Sequence, residues 1–248
     1  MYLNIAFIFL LLYNVLNVGG FKMENRYSKN LNSITEEECK KLHGFNVCVV
    51  GCGGIGGYVI EMLARIGVLN ITGIDYDVFE TTNLNRQIIS HTTNIHEKKA
   101  LEAKKRVFAI NPDVYFIPVC EKLTSDNAID LLAGNNIIID ACDNISTRLI
   151  LEETCSKLET PLIHGAISGW YGQVSTVMPY DNTLSKIYAD MRDEDIDTSL
   201  GNPAHTPALV ASIQVSEAIK VLLDKGDTLH NKLLSIDLLN MNFELMDL

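Results

Sequence analysis
The sequence predicts an α/β fold: a Rossmann-like, mostly parallel sheet with helices on both faces and a C-terminal antiparallel extension. Three observations predict it. Short apolar runs that do not alternate, such as "FNVCVV" and "NIIIDA", read as strands buried on both faces. Segments with helical periodicity separate them, as βαβ units require. One run, "VCVVGCGGIGGYVIEMLARIGV" (47–68), joins a strand, a glycine-rich turn and a helix without a break.

The elements follow in order. "SITEEECKKLH" (33–43) is a short amphipathic helix. "FNVCVV" (45–50) is the first strand, and 55–66 the helix after the glycine turn. "NITGID" (70–75) is the second strand. "HEKKALEAKKRVFAIN" (96–111) is a helix stopped by Pro112. "VYFIPV" is the third strand. "SDNAIDLLAG" is a helix with a serine N-cap and a terminal glycine. "NIIIDA" is the fourth strand, "STRLILEETCSKLE" the next helix and "PLIHGAI" the fifth strand. "GWYGQVSTVMP" alternates, as an added strand does. Residues 181–205 are polar and irregular, and a loop of that length is functional or mobile. "PALVASIQVSEAIKVLLDKG" (207–226) is a long helix with proline in its first turn and glycine at its end. "LLSIDL" and "NFELMDL" form a closing hairpin.

The 248 residues suffice for one large domain with a full core, assigned to 23–248. Lys plus Arg number 20 against 31 Asp plus Glu, a formal net charge of −11. No basic patch marks a nucleic-acid partner. The six cysteines, at 39, 48, 52, 120, 142 and 155, form no C-x-x-C pair. That argues against zinc and disulfides and for a reducing cytoplasm. Residues 1–22 stand apart. They are apolar, but they lack a basic n-region and a cleavage site. Gly19-Gly20 can be encoded as a ribosome-binding site ahead of the second start at Met23, so 1–22 read as translated upstream sequence, with a membrane anchor as the alternative.

Gly51, Gly53 and Gly56 fit G-x-G-x-x-G, in which the first glycine turns, the second admits phosphate and the third packs helix on strand. Asp75, at the end of the second strand, is where a carboxylate meets a ribose hydroxyl. To this point an NAD enzyme and an ATP enzyme look alike. "DYDVFETTNLNRQ" then adds Asn83, Arg86 and Gln87, and Lys99 follows thirteen residues after the arginine. Such cations suit a triphosphate whose leaving pyrophosphate gathers charge. "DACDN" supplies Asp140 and Asp143 at a strand end, where a carboxylate can hold Mg²⁺ on phosphates. Each residue alone has a plainer reading: Lys99 as a solvated helix position, Arg86 as a loop cap, Asp140 as a turn or N-cap residue.

In this order the motifs resemble the ThiF/MoeB/HesA family, bacterial relatives of ubiquitin-activating enzymes. The resemblance runs from Arg26 onward through "RYSKN", "GCGGIGG", "IDYD…TNLNRQ", Lys99, "DACDN…TR" with Thr147 and Arg148, and "ASIQVSEAIKVLL". It implies binding of MgATP and adenylation of the C-terminal glycine of a small ubiquitin-fold sulfur carrier (ThiS/MoaD-like), which then takes sulfur from a donor protein. It implies that Gly51, Gly53, Gly54 and Gly56 wrap the nucleotide and that Asp75 binds ribose. Asn83, Arg86 and Lys99 would bind phosphates, and Asp143 Mg²⁺. Two-fold dimers are usual in the family, so a homodimer is expected. The seven apolar positions Ala208, Ala211, Ile213, Val215, Ala218, Ile219 and Leu222 point the same way.

Three departures stand out. The family's paired C-x-x-C zinc ligands are missing, so no zinc is expected. No cysteine follows Cys155, so direct sulfur or thioester transfer by this chain is not expected either; Cys142 reads as a structural thiol. Lys29 replaces an arginine that in relatives reaches the partner's nucleotide, and loses its fork. The alternatives are adenylation of another carboxylate, a silent dimer partner of an active relative, and an NAD oxidoreductase. For the last, His164 and His205 are candidates by residue type only.

Overall fold
The computed structural model describes residues 25–195 and 199–248. The elements are α1 (Glu36–Gly44), β1 (Asn46–Val50), α2 (Gly56–Ile66), β2 (Asn70–Ile74), α3 (Lys99–Ile110), β3 (Tyr115–Val119), α4 (Ala128–Leu132), β4 (Ile137–Asp140) and α5 (Ile145–Lys157). They continue with β5 (Leu162–Ser168), β6 (Tyr171–Val177), α6 (Thr183–Ile187), α7 (His205–Leu223), β7 (Lys232–Asp237) and β8 (Asn242–Asp247). By internal contacts the chain divides into two compact units, Met1–Glu36 and Glu37–Leu248. The sheet and every site residue below belong to the second. The expected boundary after residue 22 lies outside the described residues.

Eight strands form one sheet in the order β3-β2-β1-β4-β5-β6-β7-β8. β1 to β5 pair in parallel, and β6, β7 and β8 add antiparallel. The parallel strands are apolar because both their faces are covered. α2, α3 and α7 pack on one another and on the sheet, and α4, α5 and α6 form a second helical group with α5 on β4 and β5. Ile137, Ile138 and Ile139 of β4 are fully buried. Each such burial stabilises by roughly 1.5–3 kcal/mol relative to exposure. Pro118 is tolerated because β3 is the sheet's edge.

Strand order reverses between β1, which leads to β2 on one side, and β4 on the other. A crevice opens at such a point beyond the strands' C-terminal ends. The glycine turn sits there, and two of its glycines are sterically required. Gly51 has φ +97°, and a β-carbon on it would lie 2.5 Å from the Ala141 carbonyl oxygen. One on Gly56 would lie 1.8 Å from the Gly51 carbonyl oxygen.

Several boundaries differ from the sequence reading. α3 begins at Lys99, not 96, because backbone hydrogen bonds hold 96–98 in a non-helical turn, with His96 at φ +74°. Phe79 N–H donates to Glu97 O, His96 N–H donates to Phe79 O, and Lys98 bridges Val78. Ser125 does not cap α4; instead Asn127 folds back to accept from Thr124 N–H at 2.8 Å. α7 starts two residues before Pro207 and ends on Asp224 in the left-handed region, with Gly226 beyond it. The loop read at 181–205 contains α6 and a 3-10 turn, Asp193–Asp195. α7 is the one described helix long and apolar enough to cross a membrane, yet it packs on α2, β4, β5 and β6. Of the seven apolar α7 positions named above, Ala211, Val215, Ala218 and Ile219 are buried within this subunit. Packing within the subunit accounts for those four; Ala208, Ile213 and Leu222 are half-buried.

The two classes of glycine should separate on substitution. Gly56→Ala forces backbone against backbone and should cost roughly 3 kcal/mol. Gly54→Ala meets only Arg86 and Pro207 side-chain atoms at 3.7–3.9 Å, so it should stay within about 1 kcal/mol of the parent. Equal urea midpoints for the two variants would overturn this account of the turn.

Candidate active site
A cavity of about 430 Å³ occupies the crevice. Of the residues singled out in the sequence, Gly51, Gly53, Gly54, Asp75, Arg86, Gln87, Lys99 and Asp143 line it. Gly56 and Asn83 do not. Gly56 belongs to the packing of α2, and Asn83 to a 3-10 turn (Thr81–Asn83), where its Oδ1 accepts from Glu80 N–H at 3.0 Å. That turn is followed by Arg86 and Gln87, so Asn83 shapes the wall rather than forming it.

Asp75 follows β2 directly. Its Oδ2 accepts from Cys52 N–H and its Oδ1 from Asp77 N–H, each at 2.8 Å. Burial raises its pKa, opposed by Lys99 and by these two N–H groups. Lys99 is the first residue of α3, placed by the turn and the Lys98 bridge before it. Its N–H donates to Asp77 O at 3.1 Å, and its buried Nζ pairs with Asp77 Oδ2 at 3.1 Å. A solvated helix lysine would show neither feature. Arg86 lies over Gly54, its Nη1 donating to Thr82 O at 3.2 Å and Asn85 Oδ1 at 3.0 Å. Gln87 lies over Gly53 and is 6% exposed, and its buried Oε1 has no hydrogen-bond partner. A buried acceptor left open at a cavity wall is the mark expected of a ligand-binding position.

The two aspartates after β4 separate. Asp143 is exposed at the cavity, held only by Asn144 Nδ2 at 3.1 Å. Asp140 is fully buried and is neither a helix N-cap nor free for a metal. Its Oδ2 accepts from His164 Nδ1 at 2.7 Å and its Oδ1 from Cys142 N–H at 2.9 Å. Gln214 Nε2, from α7, donates to Asp140 O at 2.7 Å. Burial would raise the Asp140 carboxyl, but the His164 hydrogen bond and the charge of Arg148 hold it below the usual range. Burial depresses His164, against the pull of Asp140. With Arg148 as counter-charge, the pair stands as carboxylate and neutral imidazole. His164 is thus a core residue. His205, the first residue of α7, packs against Trp170 in a tilted ring contact, centroids 4.4 Å apart. Cys142 is a structural thiol: burial pushes it well above its ordinary value, and Sγ faces Val50 O.

Sequence reasoning missed three contributors. Asp193 lines the cavity and caps α5: Oδ1 accepts from Ile145 N–H at 2.5 Å and Ser146 N–H at 3.0 Å, and Oδ2 from Ser146 Oγ at 2.7 Å. Those bonds, led by the Ser146 hydroxyl, hold its carboxyl below the usual range. Glu152 of α5 caps α6 in return, accepting from Leu184 N–H, Ser185 N–H and Ser185 Oγ. Tyr188 closes the group, its hydroxyl 3.2 Å from His164 Nε2 and accepting from Gln173 Nε2 at 2.6 Å. Among the described residues no set of three or more His, Cys, Asp or Glu side chains gathers as a metal site.

The ThiF family model matches residues 27–248. The chain is 34% identical over 226 residues to the SAMP-activating enzyme E1 of Haloferax volcanii, covering 89% of this chain and 83% of that protein. It is 31% identical over 226 residues to the molybdopterin-synthase adenylyltransferase of Haemophilus influenzae, covering 88% and 92%. Among solved structures, E. coli MccB with ATP superposes with a TM-score of 0.78 at 19% identity, covering 90% of this chain and 72% of that one. Likeness at that identity is a likeness of fold.

The buried pair sets a pH dependence. An unfolded imidazole takes up a proton below about pH 6.5, whereas folded His164 takes it up only at lower pH. The unfolded state therefore binds more protons in that window, and stability falls as pH falls through it, by at most about 1.4 kcal/mol per pH unit. The melting temperature of the parent should drop more steeply from pH 7 to 5 than that of His164→Gln. Parallel slopes would contradict the neutral-imidazole assignment.

Proposed function
The chain belongs to the ThiF family, and from that premise we propose that it is an ATP-dependent adenylyltransferase acting on the C-terminal carboxylate of a ubiquitin-fold sulfur-carrier protein. One observation carries the reading: a single crevice gathers the glycine turn, the Asp75 carboxylate, Arg86, Lys99 and Asp143. The names of the relatives, a SAMP-activating E1 and a molybdopterin-synthase adenylyltransferase, support the same chemistry.

In the proposed reaction a carrier carboxylate oxygen attacks the α-phosphorus in line. A carboxylate–phosphorus bond forms, the bond from the α-phosphorus to the β-phosphate oxygen breaks, and its electron pair leaves on pyrophosphate. The protein positions the reactants and balances charge. Asp75 takes the ribose, Gly53 and Gly54 of the turn, which line the cavity, receive phosphate, and Gln87 Oε1 offers an acceptor. Lys99 exchanges Asp77 for phosphate, and Arg86 meets the charge that grows on the leaving group. One exposed carboxylate, Asp143, suits Mg²⁺, which keeps most of its water and takes one or two carboxylates plus phosphates. Bound there, the ion would supply charge neutralisation. The chain is further proposed to work in the cytoplasm as a zinc-free homodimer that hands the acyl-adenylate to a separate sulfur donor. Sedimentation at micromolar concentration and metal analysis check the dimer and the zinc.

ATP–pyrophosphate exchange measured with candidate carriers is the direct test. Asp143→Ala should lose exchange and keep its melting temperature. Arg86→Ala should lower kcat by roughly 2–4 kcal/mol, about 30- to 1,000-fold, with a smaller change in ATP binding. Weak binding with unchanged turnover at saturation would contradict the role given to Arg86.

A further inference from the structure
Arg148 belongs to the motif that carries the family resemblance, yet the reaction above gives it no work. It sits in the first turn of α5 at the cavity wall, 6% exposed. Its Nη2 donates to Cys142 O at 2.7 Å and its Nη1 to Tyr188 OH at 3.2 Å. Its Nε lies 3.7 Å from Asp140 Oδ2 and has no hydrogen-bond partner. One guanidinium thus reaches the end of β4, the turn after it and the residue that ends α6.

Asp140 and Arg148 meet at one residue. Asp140 holds the N–H of Cys142 and Arg148 holds its carbonyl. That carbonyl belongs to the peptide leading into Asp143. The Asp143 side chain has one recorded contact, the neighbouring Asn144 amide. Its direction is therefore set by its backbone, and the clamp on Cys142 sets that backbone. Burying a charged pair costs several kcal/mol, and an apolar pair would fill the space at no such cost. A fork that fixes three elements at once explains why a guanidinium stands here.

We propose that Arg148, with Asp140 as its counter-ion, is a positioning residue that aims the Asp143 carboxylate at the metal–phosphate group in the cavity. The proposal rests on the adenylyltransferase reading, and it extends that reading from the residue touching the metal to the pair that orients it. Outer partners of this kind typically change metal affinity by about 10- to 100-fold.

The test uses Mn²⁺ as the probe, titrated into the full chain saturated with ATP and followed by electron spin resonance. Arg148→Lys keeps the charge and loses the fork; it should weaken Mn²⁺ binding by at least about tenfold. ATP affinity without metal should stay within about threefold. Because the effect runs through Asp143, Arg148→Lys should add nothing in an Asp143→Ala background. Tyr188→Phe removes one arm without disturbing either charge; it should weaken Mn²⁺ binding in the same direction by less, and it carries the test if Arg148→Lys fails to fold. A structural role alone would lower the melting temperature and leave Mn²⁺ affinity unchanged. That result, or full additivity with Asp143→Ala, overturns the inference. A parent chain that binds no Mn²⁺·ATP overturns the adenylyltransferase reading, and this inference with it.

Discussion
The site depends on how closely three backbone segments approach one another. Gly51, Ala141 and Gly56 leave no room for a β-carbon at either glycine. The end of β1, the turn after β4 and the start of α2 therefore lie in direct contact. The reversal of strand order would give a crevice in any chain with this topology. The glycines decide its depth, because a single methyl group at 51 or 56 would lever α2 or the 141–144 turn outward. The same approach brings Gly53, Gly54 and Ile55, which lead into α2, to the cavity wall, where a helix start favours an anion.

A crevice lined by both signs of charge must also be stable before its ligand arrives. Lys99 is held by Asp77, Asp75 by two backbone N–H groups, and Arg86 by Thr82 and Asn85. In the proposed reaction a polyphosphate entering this site would exchange one set of charge-assisted bonds for another. It need not draw bare ions out of water, which would be far costlier. Gln87 is the exception. Its Oε1 is buried with no partner, so under the proposed function a group that reached that atom would add a bond without displacing one.

The parts of this arrangement that were legible in the sequence are local ones. The turn at 51–56, Asp75 one residue past a strand, and Arg86 and Lys99 in fixed order are set by neighbours along the chain. So is the identity of each parallel strand, because burial on both faces leaves an unbroken apolar run. The rest is set by partners far away in sequence. Asp140 reads as a turn residue until His164 and Arg148 are seen against it. α6 is too short to announce itself by periodicity, and it stands because Glu152 caps it from another helix. Asn83 is a case the motif shows only in part: its place suggests a phosphate ligand, and the structure adds that its Oδ1 shapes the turn leading to Arg86 and Gln87.

The segment after β6 shows why a polar stretch need not be a detachable one. α5 and α6 are joined reciprocally: Glu152 of the first caps the second, and Asp193, beyond the second, caps the first. Between them Tyr188 is 6% exposed and bonds Arg148 and Gln173, beside the buried imidazole of His164. Burial pushes its hydroxyl up to about 12, so it stays neutral and can serve both as acceptor from Arg148 and as donor. Removing 188–198 as if it were a connector would take out a core tyrosine together with the Asp193 carboxylate that holds the N–H groups of Ile145 and Ser146, leaving α5 only its Asn144 cap. Loss of activity on such a deletion would then report collapse of the cavity wall rather than loss of a cover. Polarity in the sequence marks this segment as surface. The structure makes it a wall where Tyr188 answers the charge of Arg148 and Asp193 answers the start of α5.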